Sequence, residues 1–205
     1  GHRRPDRRPR AGTPLRSVGF VAWTLQPLYV VLEVVVGLQA SRDYTFAGST
    51  ISDLGNTSCR TIRGDVLCSP WHVAMNLGFI WFGLTLALGA LLLATQILPG
   101  RVGRAAVAVW CISGLGSIGV GLVPVNENGG LHSLVALPVL LAQPTALLLT
   151  SVSLRAGRPT LGRLTCGVAS LSAAGVIGLA AALMVDGSAA LGGFERVALW
   201  LGYVW

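Results

Sequence analysis

Long apolar stretches separated by short polar segments run through this sequence. Five of them cover 18–39, 71–99, 105–123, 131–154 and 164–185. Each is long enough to cross the hydrocarbon core of a membrane, which takes about 20 residues of α-helix. A sixth begins near residue 197 and has nine residues, roughly half a span. The pattern predicts an all-α polytopic membrane helix bundle with six transmembrane helices, the sixth incomplete in this chain.

The composition agrees with a membrane location. The mean hydropathy is +0.68, 53% of the residues are hydrophobic and 11% are charged. Soluble domains carry about 25% charged residues. Because the predicted spans and their connections use most of the 205 residues, there is no room for a sizeable soluble catalytic domain.

Charged residues divide unevenly between the two sides that the predicted helices define. All 15 basic residues are Arg, and 11 of them lie with one acid in 1–17, 100–104 and 155–163. Because cytoplasmic segments are rich in Arg and Lys, we expect a basic cytoplasmic tail at 1–17. The remaining 18–205 form the membrane domain, with an external loop at 40–70. The net charge of +7 therefore indicates orientation in the plasma membrane, and no nucleic-acid partner is expected.

The four cysteines fall into two kinds of location. Cys59 and Cys68 lie in the predicted external loop, where an oxidising compartment permits a disulfide. Cys111 and Cys166 lie inside predicted helices and are interpreted as small apolar packing residues. Small residues also recur every four positions on two predicted helices, which predicts close helix contacts there. They are Ser113, Ser117 and Gly121 on the third helix, and Ser170, Ala174, Gly178 and Ala182 on the fifth.

Glu33 is the most informative single residue because it lies inside the first predicted span. A charged side chain there costs about 2.5–3.5 kcal/mol or more, so such residues are functional candidates. Gln26, Tyr29 and Glu33 share one helical face. If that face points inward, Glu33 could serve as a proton donor. Alternatively, Glu33 reaches water or pairs with an arginine such as Arg196.

Other polar residues are predicted to converge at the same, external end of the bundle. His72 and Asn76 open the second helix, and His132 opens the fourth. Glu195 precedes the sixth helix, and Asp53 lies in an apolar part of the external loop. We expect these side chains to form a site with Glu33.

Acid–base chemistry on a lipidic or isoprenoid substrate, such as cyclisation or isomerisation without a cofactor, is the leading hypothesis for this site. Glu33 or Asp53 would donate the proton, and His72 and His132 would orient the substrate or accept protons. Aromatic side chains could stabilise a developing carbocation, although aromatic residues also belong to the membrane interface. The residues predicted to bind the prenylated substrate are Tyr29, Trp71, Asn76, Glu127, Glu195, Arg196 and Trp200.

Two other functions stay open. A polar cluster under a loop tied by a disulfide could bind a lipid or assemble a complex without turnover. A zinc-dependent membrane hydrolase would need His72, His132 and a carboxylate such as Asp53 or Glu127 as ligands. The chain lacks HExxH and HxxxH spacings, so no metal or other cofactor is expected. The sequence patterns do not indicate which oligomeric state the protein has.

Four runs carry a family resemblance: STISDLGNTSC, CSPWHVAMNLGFIWFG, GLVPVNENGGLHSLVAL and GGFERVALW. Together they resemble the actinobacterial branch of the membrane family known as domain of unknown function 998, over nearly everything after the basic tail. The family's Phe-Pro-Glu run is replaced, and Glu127 comes three residues after Pro124. The resemblance implies a six-helix bundle whose motif residues gather at the non-cytoplasmic end. The matching residues are Ser52, Asp53, Asn76, His132, Glu195 and Arg196.

Overall fold

The structure is a computed structural model that describes residues 14–62, 64–185 and 189–205. Most of the predicted tail, residues 1–13, lies outside the described residues. The helices are α1 (Pro14–Thr24), α2 (Pro27–Leu38), α3 (His72–Gly89), α4 (Thr95–Ile97), α5 (Gly100–Leu122), α6 (Gly129–Arg155), α7 (Pro159–Leu183) and α8 (Leu191–Val204). A π-helical segment, Ala90–Ala94, joins α3 to α4. The loop after α2 contains a 3-10 turn, Ser52–Gly55, and the strands β1 (Arg60–Ile62) and β2 (Asp65–Leu67).

Five helical stretches in the described chain are long and apolar enough to cross a membrane. They are Pro14–Leu38, His72–Ile97, Gly100–Leu122, Gly129–Arg155 and Pro159–Leu183. The predicted all-α polytopic bundle is therefore confirmed. The first span contains a break that the apolar pattern did not predict, where α1 ends at Thr24 and Pro27 starts α2.

The sixth helix, α8, begins at Leu191 rather than near residue 197, so the predicted start is wrong. The apolar pattern alone assigns Glu195 and Arg196 to a loop. Both are helical and buried, with 9% and 5% of their surface exposed. The helix tolerates them because they face protein and not lipid.

Small residues mark the close helix contacts. The prediction of which small residues make them is confirmed on α5 and only partly confirmed on α7. On α5, Ser113, Ser117 and Gly121 are buried. On α7, Ser170 and Ala174 are exposed, so that half of the predicted face is wrong. The buried face is rotated: Gly175 lies against the backbone of Ala198, and Ser172 donates a hydrogen bond to the Ala198 carbonyl. Spacing alone does not distinguish the two faces, because small residues occupy both.

The end of the bundle that carries residues 40–70, here called the loop end, is closed by part of that loop. Cys59 and Cys68 form the predicted disulfide beside the antiparallel β1–β2 hairpin, in which Arg60 pairs with Leu67. The preceding segment turns into the bundle and buries Ile51 and Leu54, which are 1% and 0% exposed. A segment that buries such side chains is a packed part of the fold and not a solvated connection.

Candidate functional site

Glu33 forms an ion pair with Arg196 at the loop end. Arg196 Nε lies 3.0 Å from Glu33 Oε1, and Trp200 Nε1 donates to Glu33 Oε2 over 2.7 Å. Glu33 is 0% exposed. The structure thus shows the arrangement in which Glu33 pairs with an arginine, and both carboxylate oxygens have a donor. A buried charge is tolerated when it is paired and hydrogen-bonded in this way.

Arg196 also connects the bundle to the loop. Its Nη1 donates to the carbonyl oxygens of Phe46 (2.5 Å), Ser49 (2.9 Å) and Gly192 (3.0 Å). Its Nη2 donates to the Tyr44 hydroxyl over 2.5 Å, and its guanidinium lies 5.1 Å from the centre of the Phe46 ring. Burial raises the pKa of the Tyr44 phenol above its ordinary value, so the phenol stays neutral. One guanidinium therefore holds three loop residues against α2 and α8.

Glu195 and His132 bind the 3-10 turn of the loop. Glu195 Oε2 accepts from the Ile51 backbone N–H over 2.7 Å. His132 Nδ1 lies 2.7 Å from the Val123 carbonyl and Nε2 lies 2.9 Å from Ser52 Oγ. Because a carbonyl can only accept, Nδ1 carries the proton. In this tautomer Nε2 accepts a hydrogen bond from the Ser52 hydroxyl.

Asn76 also binds the loop from a helix: its Nδ2 donates to the Gly55 carbonyl over 2.9 Å. Asp53 acts within the turn, where its Oδ2 accepts from the Thr50 backbone N–H over 2.8 Å. The side chains that hold the loop from the helices are hereafter called the latch. They are Asn76, His132, Glu195 and Arg196, which contact the loop, and Glu33, which pairs with Arg196.

Other predicted site residues lie away from the latch. His72 Nδ1 is 3.0 Å from the Ser69 carbonyl, at the start of its own helix. Trp71 is 48% exposed. Glu127 is exposed and accepts from the Thr57 hydroxyl over 2.9 Å. None of the three lines either of the two cavities of the bundle. Their part in the predicted outward-opening site stays a prediction. Tyr29 is buried among aromatic rings, 4.9 Å from Phe82 between ring centres.

A small cavity of about 30 Å³ lies under the latch. Its polar lining includes Ser52, Ser117, Glu195 and Tyr203. This is the volume of about one water molecule. An isoprenoid substrate does not fit beside Glu195 while the loop is in place.

A much larger pocket, of about 380 Å³, opens deeper in the bundle and was not predicted from the sequence. Several lining residues come from near the middle of the candidate spans, including Gln26, Leu86 and Trp110. The complete lining is Phe20, Trp23, Thr24, Gln26, Pro27, Leu86, Leu93, Trp110, Gly202, Tyr203, Val204 and Trp205. Tyr203 lines both this pocket and the small cavity. Trp23 and Trp110, aromatic residues inside two of the spans, were the available signal.

Irregular backbone surrounds the larger pocket. The α1–α2 break lies at its wall, and Leu93 belongs to the π-helical segment. Trp23 crosses from α1 to α3, where its Nε1 donates to the Leu86 carbonyl over 3.2 Å. A Cβ at residue 89 would lie 1.8 Å from the Trp23 ring, so only the glycine found there leaves room for the indole. Bulges of this kind occur frequently at functional sites.

Metal binding has little support from this arrangement. Within the described residues, no group of three or more His, Cys, Asp and Glu side chains could hold a metal ion. His72 and His132 each hydrogen-bond to a backbone carbonyl instead. The ligand set proposed for a zinc hydrolase is not brought together.

These features define a multi-pass membrane protein whose loop end is closed by a latched loop above an intramembrane pocket. A family model described as "Protein of unknown function (DUF998)" matches residues 10–205, and the chain belongs to this family. Searches of curated proteins and of solved structures each returned no match. The family resemblance of the sequence motifs is confirmed.

Proposed function

We propose that this protein binds a lipidic molecule within the membrane, with the hydrocarbon part of the ligand in the larger pocket. The observation that carries the proposal is the pocket itself: about 380 Å³ of space lined chiefly by aromatic and aliphatic side chains. Sites for small molecules enclose about 300–1,000 Å³ and have this kind of lining. An isoprenoid or a single acyl chain suits both its size and its chemistry.

The backbone supports the same proposal. Non-helical backbone at membrane depth is tolerated where it is buried in protein or lines a cavity. The α1–α2 break at Gln26 and the π-helical segment Ala90–Ala94 both occur at this pocket. The two irregularities shape one cavity between α1, α3, α5 and α8, which favours a ligand-binding role over simple packing.

Orientation follows from the charges. We propose that the protein lies in the plasma membrane with its N-terminus in the cytoplasm, so that the latch and the disulfide face outward. The described Arg residues at the end opposite the loop are Arg16, Arg101, Arg104, Arg155, Arg158 and Arg163. With this orientation the pocket lies between the basic end and the latch.

Acid–base turnover of the ligand stays a prediction. Glu33 is paired with Arg196, Asp53 caps the 3-10 turn, and His132 binds Ser52. None of these groups lines the larger pocket. A ligand there would meet the carboxylate of Glu195 only beyond Tyr203, so binding is the function that the geometry supports best.

Lipid retention and fluorescence titration test the proposal. The protein is purified in nanodiscs, and farnesol is titrated while tryptophan emission is recorded, because Trp23 and Trp110 line the pocket. Thr24→Trp places a large ring at the pocket wall and should weaken binding by about tenfold or more. Thr145→Trp is the matched control, because Thr145 is also an exposed helical threonine that donates to a preceding carbonyl.

Equal binding by the parent protein, Thr24→Trp and Thr145→Trp would contradict the pocket as the site. Mass spectrometry of lipids extracted after the titration also shows whether farnesol is returned unchanged. A product of altered mass or retention time, formed with the parent protein alone, would extend the function from binding to turnover.

A further inference from the structure

We infer that the ligand is a single-chain lipid with an anionic head group, such as a phosphate, and that this head group binds the guanidinium of Arg16. The inference rests on the proposed lipid-binding pocket and names the chemical class of its ligand. It places the hydrocarbon chain in the larger pocket and the head group at the basic end of the bundle.

Arg16 lies on the face of α1 that forms part of the pocket wall. Phe20, Trp23 and Thr24 follow Arg16 by four, seven and eight positions, and all three line the larger pocket. Residues at these spacings share one face of a helix. Arg16 is therefore one turn beyond Phe20, about 6 Å along the helix axis.

The same face connects the pocket to the membrane surface. Phe20 is 57% exposed and Thr24 is exposed, so this wall of the pocket reaches the outside of the bundle. The first candidate span begins at Pro14, which places Arg16 in its first turn. Basic residues near the ends of spans extend toward the lipid head groups. A lipid whose chain enters the pocket along α1 therefore brings its head group to Arg16.

The positive charge of Arg16 is available to a ligand. Its side chain is exposed and forms no hydrogen bond or ion pair with the described part of the chain. The described residues at this end include no Asp or Glu. A guanidinium can bind a phosphate through two parallel hydrogen bonds, which are stronger than those between neutral groups.

The pocket itself requires the charge of the ligand to stay outside it. No Arg, His, Asp or Glu is among the residues that line the pocket, so an ionised group within it would lose water without gaining a counter-charge. Toward the latch, Tyr203 separates the pocket from the small cavity that Glu195 lines. An anionic head group directed there would meet a carboxyl group. The chain of the ligand therefore points toward the latch, and the head group points toward Arg16.

A matched ligand pair tests this inference with the full chain in phosphatidylcholine nanodiscs. Farnesyl phosphate and farnesol have the same hydrocarbon chain, but only the phosphate is ionised. Affinities from tryptophan emission are expressed on the mole fraction of ligand in the bilayer, which removes differences in partitioning. We expect the parent protein to bind farnesyl phosphate about tenfold more tightly than farnesol.

Two arginine variants locate the head group. Arg16→Gln should weaken farnesyl phosphate by about tenfold and leave farnesol within about twofold of the parent value. Arg163→Gln is the matched control, because it removes the same charge from an exposed position at the same end. Arg163 belongs to α7, which contributes no residue to the pocket, so this variant should keep the preference for the phosphate.

The outcomes separate the two proposals. Equal affinities of the parent protein for the two ligands would overturn the anionic head group while leaving the pocket intact. Equal weakening of farnesyl phosphate by Arg16→Gln and Arg163→Gln would overturn the assignment to Arg16. Binding of both ligands that Thr24→Trp does not weaken would instead overturn the pocket proposal. The comparison of the two ligands on the parent protein needs no variant and stands even if Arg16→Gln does not fold.

Discussion

The latch and the larger pocket use polar groups in opposite ways. At the latch, both oxygens of Glu33 and all three nitrogens of Arg196 have partners in the protein. At the pocket, the wall is mostly apolar and the Gln26 oxygen has no partner. A charged group whose hydrogen bonds are complete holds the fold together, while a mostly apolar wall beside open space suits the hydrocarbon part of a ligand. The residues that are most costly to bury are therefore not the best guide to the binding site here.

Arg196→Met should have the largest effect on stability, because it removes the side chain that joins the loop to α2 and α8. It leaves Glu33 buried without its counter-charge and frees the carbonyls of Phe46 and Ser49. Removing one partner of a buried ion pair costs about 3–5 kcal/mol of unfolding free energy. The measurement is the denaturation midpoint of the purified protein in detergent, with Arg42→Met as control because Arg42 is exposed at the same end. An Arg196→Met protein as stable as the control would show that the latch does not hold the fold.

Removing the disulfide should have a smaller effect on the same end. For a ring of this size, with Cys59 and Cys68 separated by nine positions, chain entropy predicts a loss of about 2–3 kcal/mol. Cys59→Ser/Cys68→Ser is compared with Cys111→Ser, which removes a free and partly buried thiol. The readout is the rate of proteolysis within residues 40–70. Unchanged proteolysis in the double variant would show that the latch alone secures the loop.

Gln26→Met should change stability least of the three, because Gln26 belongs to the wall of the larger pocket and not to the latch. It removes the Thr85 hydrogen bond but also the unpaired oxygen, so the unfolding free energy should change by less than about 1 kcal/mol. The check is the denaturation midpoint without added lipid, beside that of Arg196→Met. A loss as large as at the latch would mean that Gln26 has a structural role like that of Arg196.

Apolar periodicity was sufficient to predict the five spans and the class of fold, because each span must satisfy its backbone internally and face lipid. It misplaced the start of α8, since Glu195 and Arg196 look like loop residues until their partners are known. The position of Cys59 and Cys68 predicted the disulfide. The pairing of Glu33 with Arg196 was one of two alternatives, and it depends on a contact between residues 163 positions apart.

The larger pocket could not be predicted because it depends on how helices deviate from regular geometry. No residue type marks the π-helical segment Ala90–Ala94, which is composed of alanine and leucine only. The break at Gln26 is indicated by Pro27, but the sequence does not show which neighbours surround it. Gln26 itself was placed on the face of Glu33, and its hydrogen bond to Thr85 is a contact that the sequence does not show.

The π-helical segment has a further consequence for how this family can change. A π turn accommodates one more residue than an α turn, and each residue of an α-helix advances the side chains by about 100°. Loss of a single residue between Ala90 and Ala94 would restore regular α-helical pairing and remove the bulge, while Thr95 to Ile97 would keep their facing. A deletion here would therefore change the pocket wall at Leu93 without turning the rest of the helix.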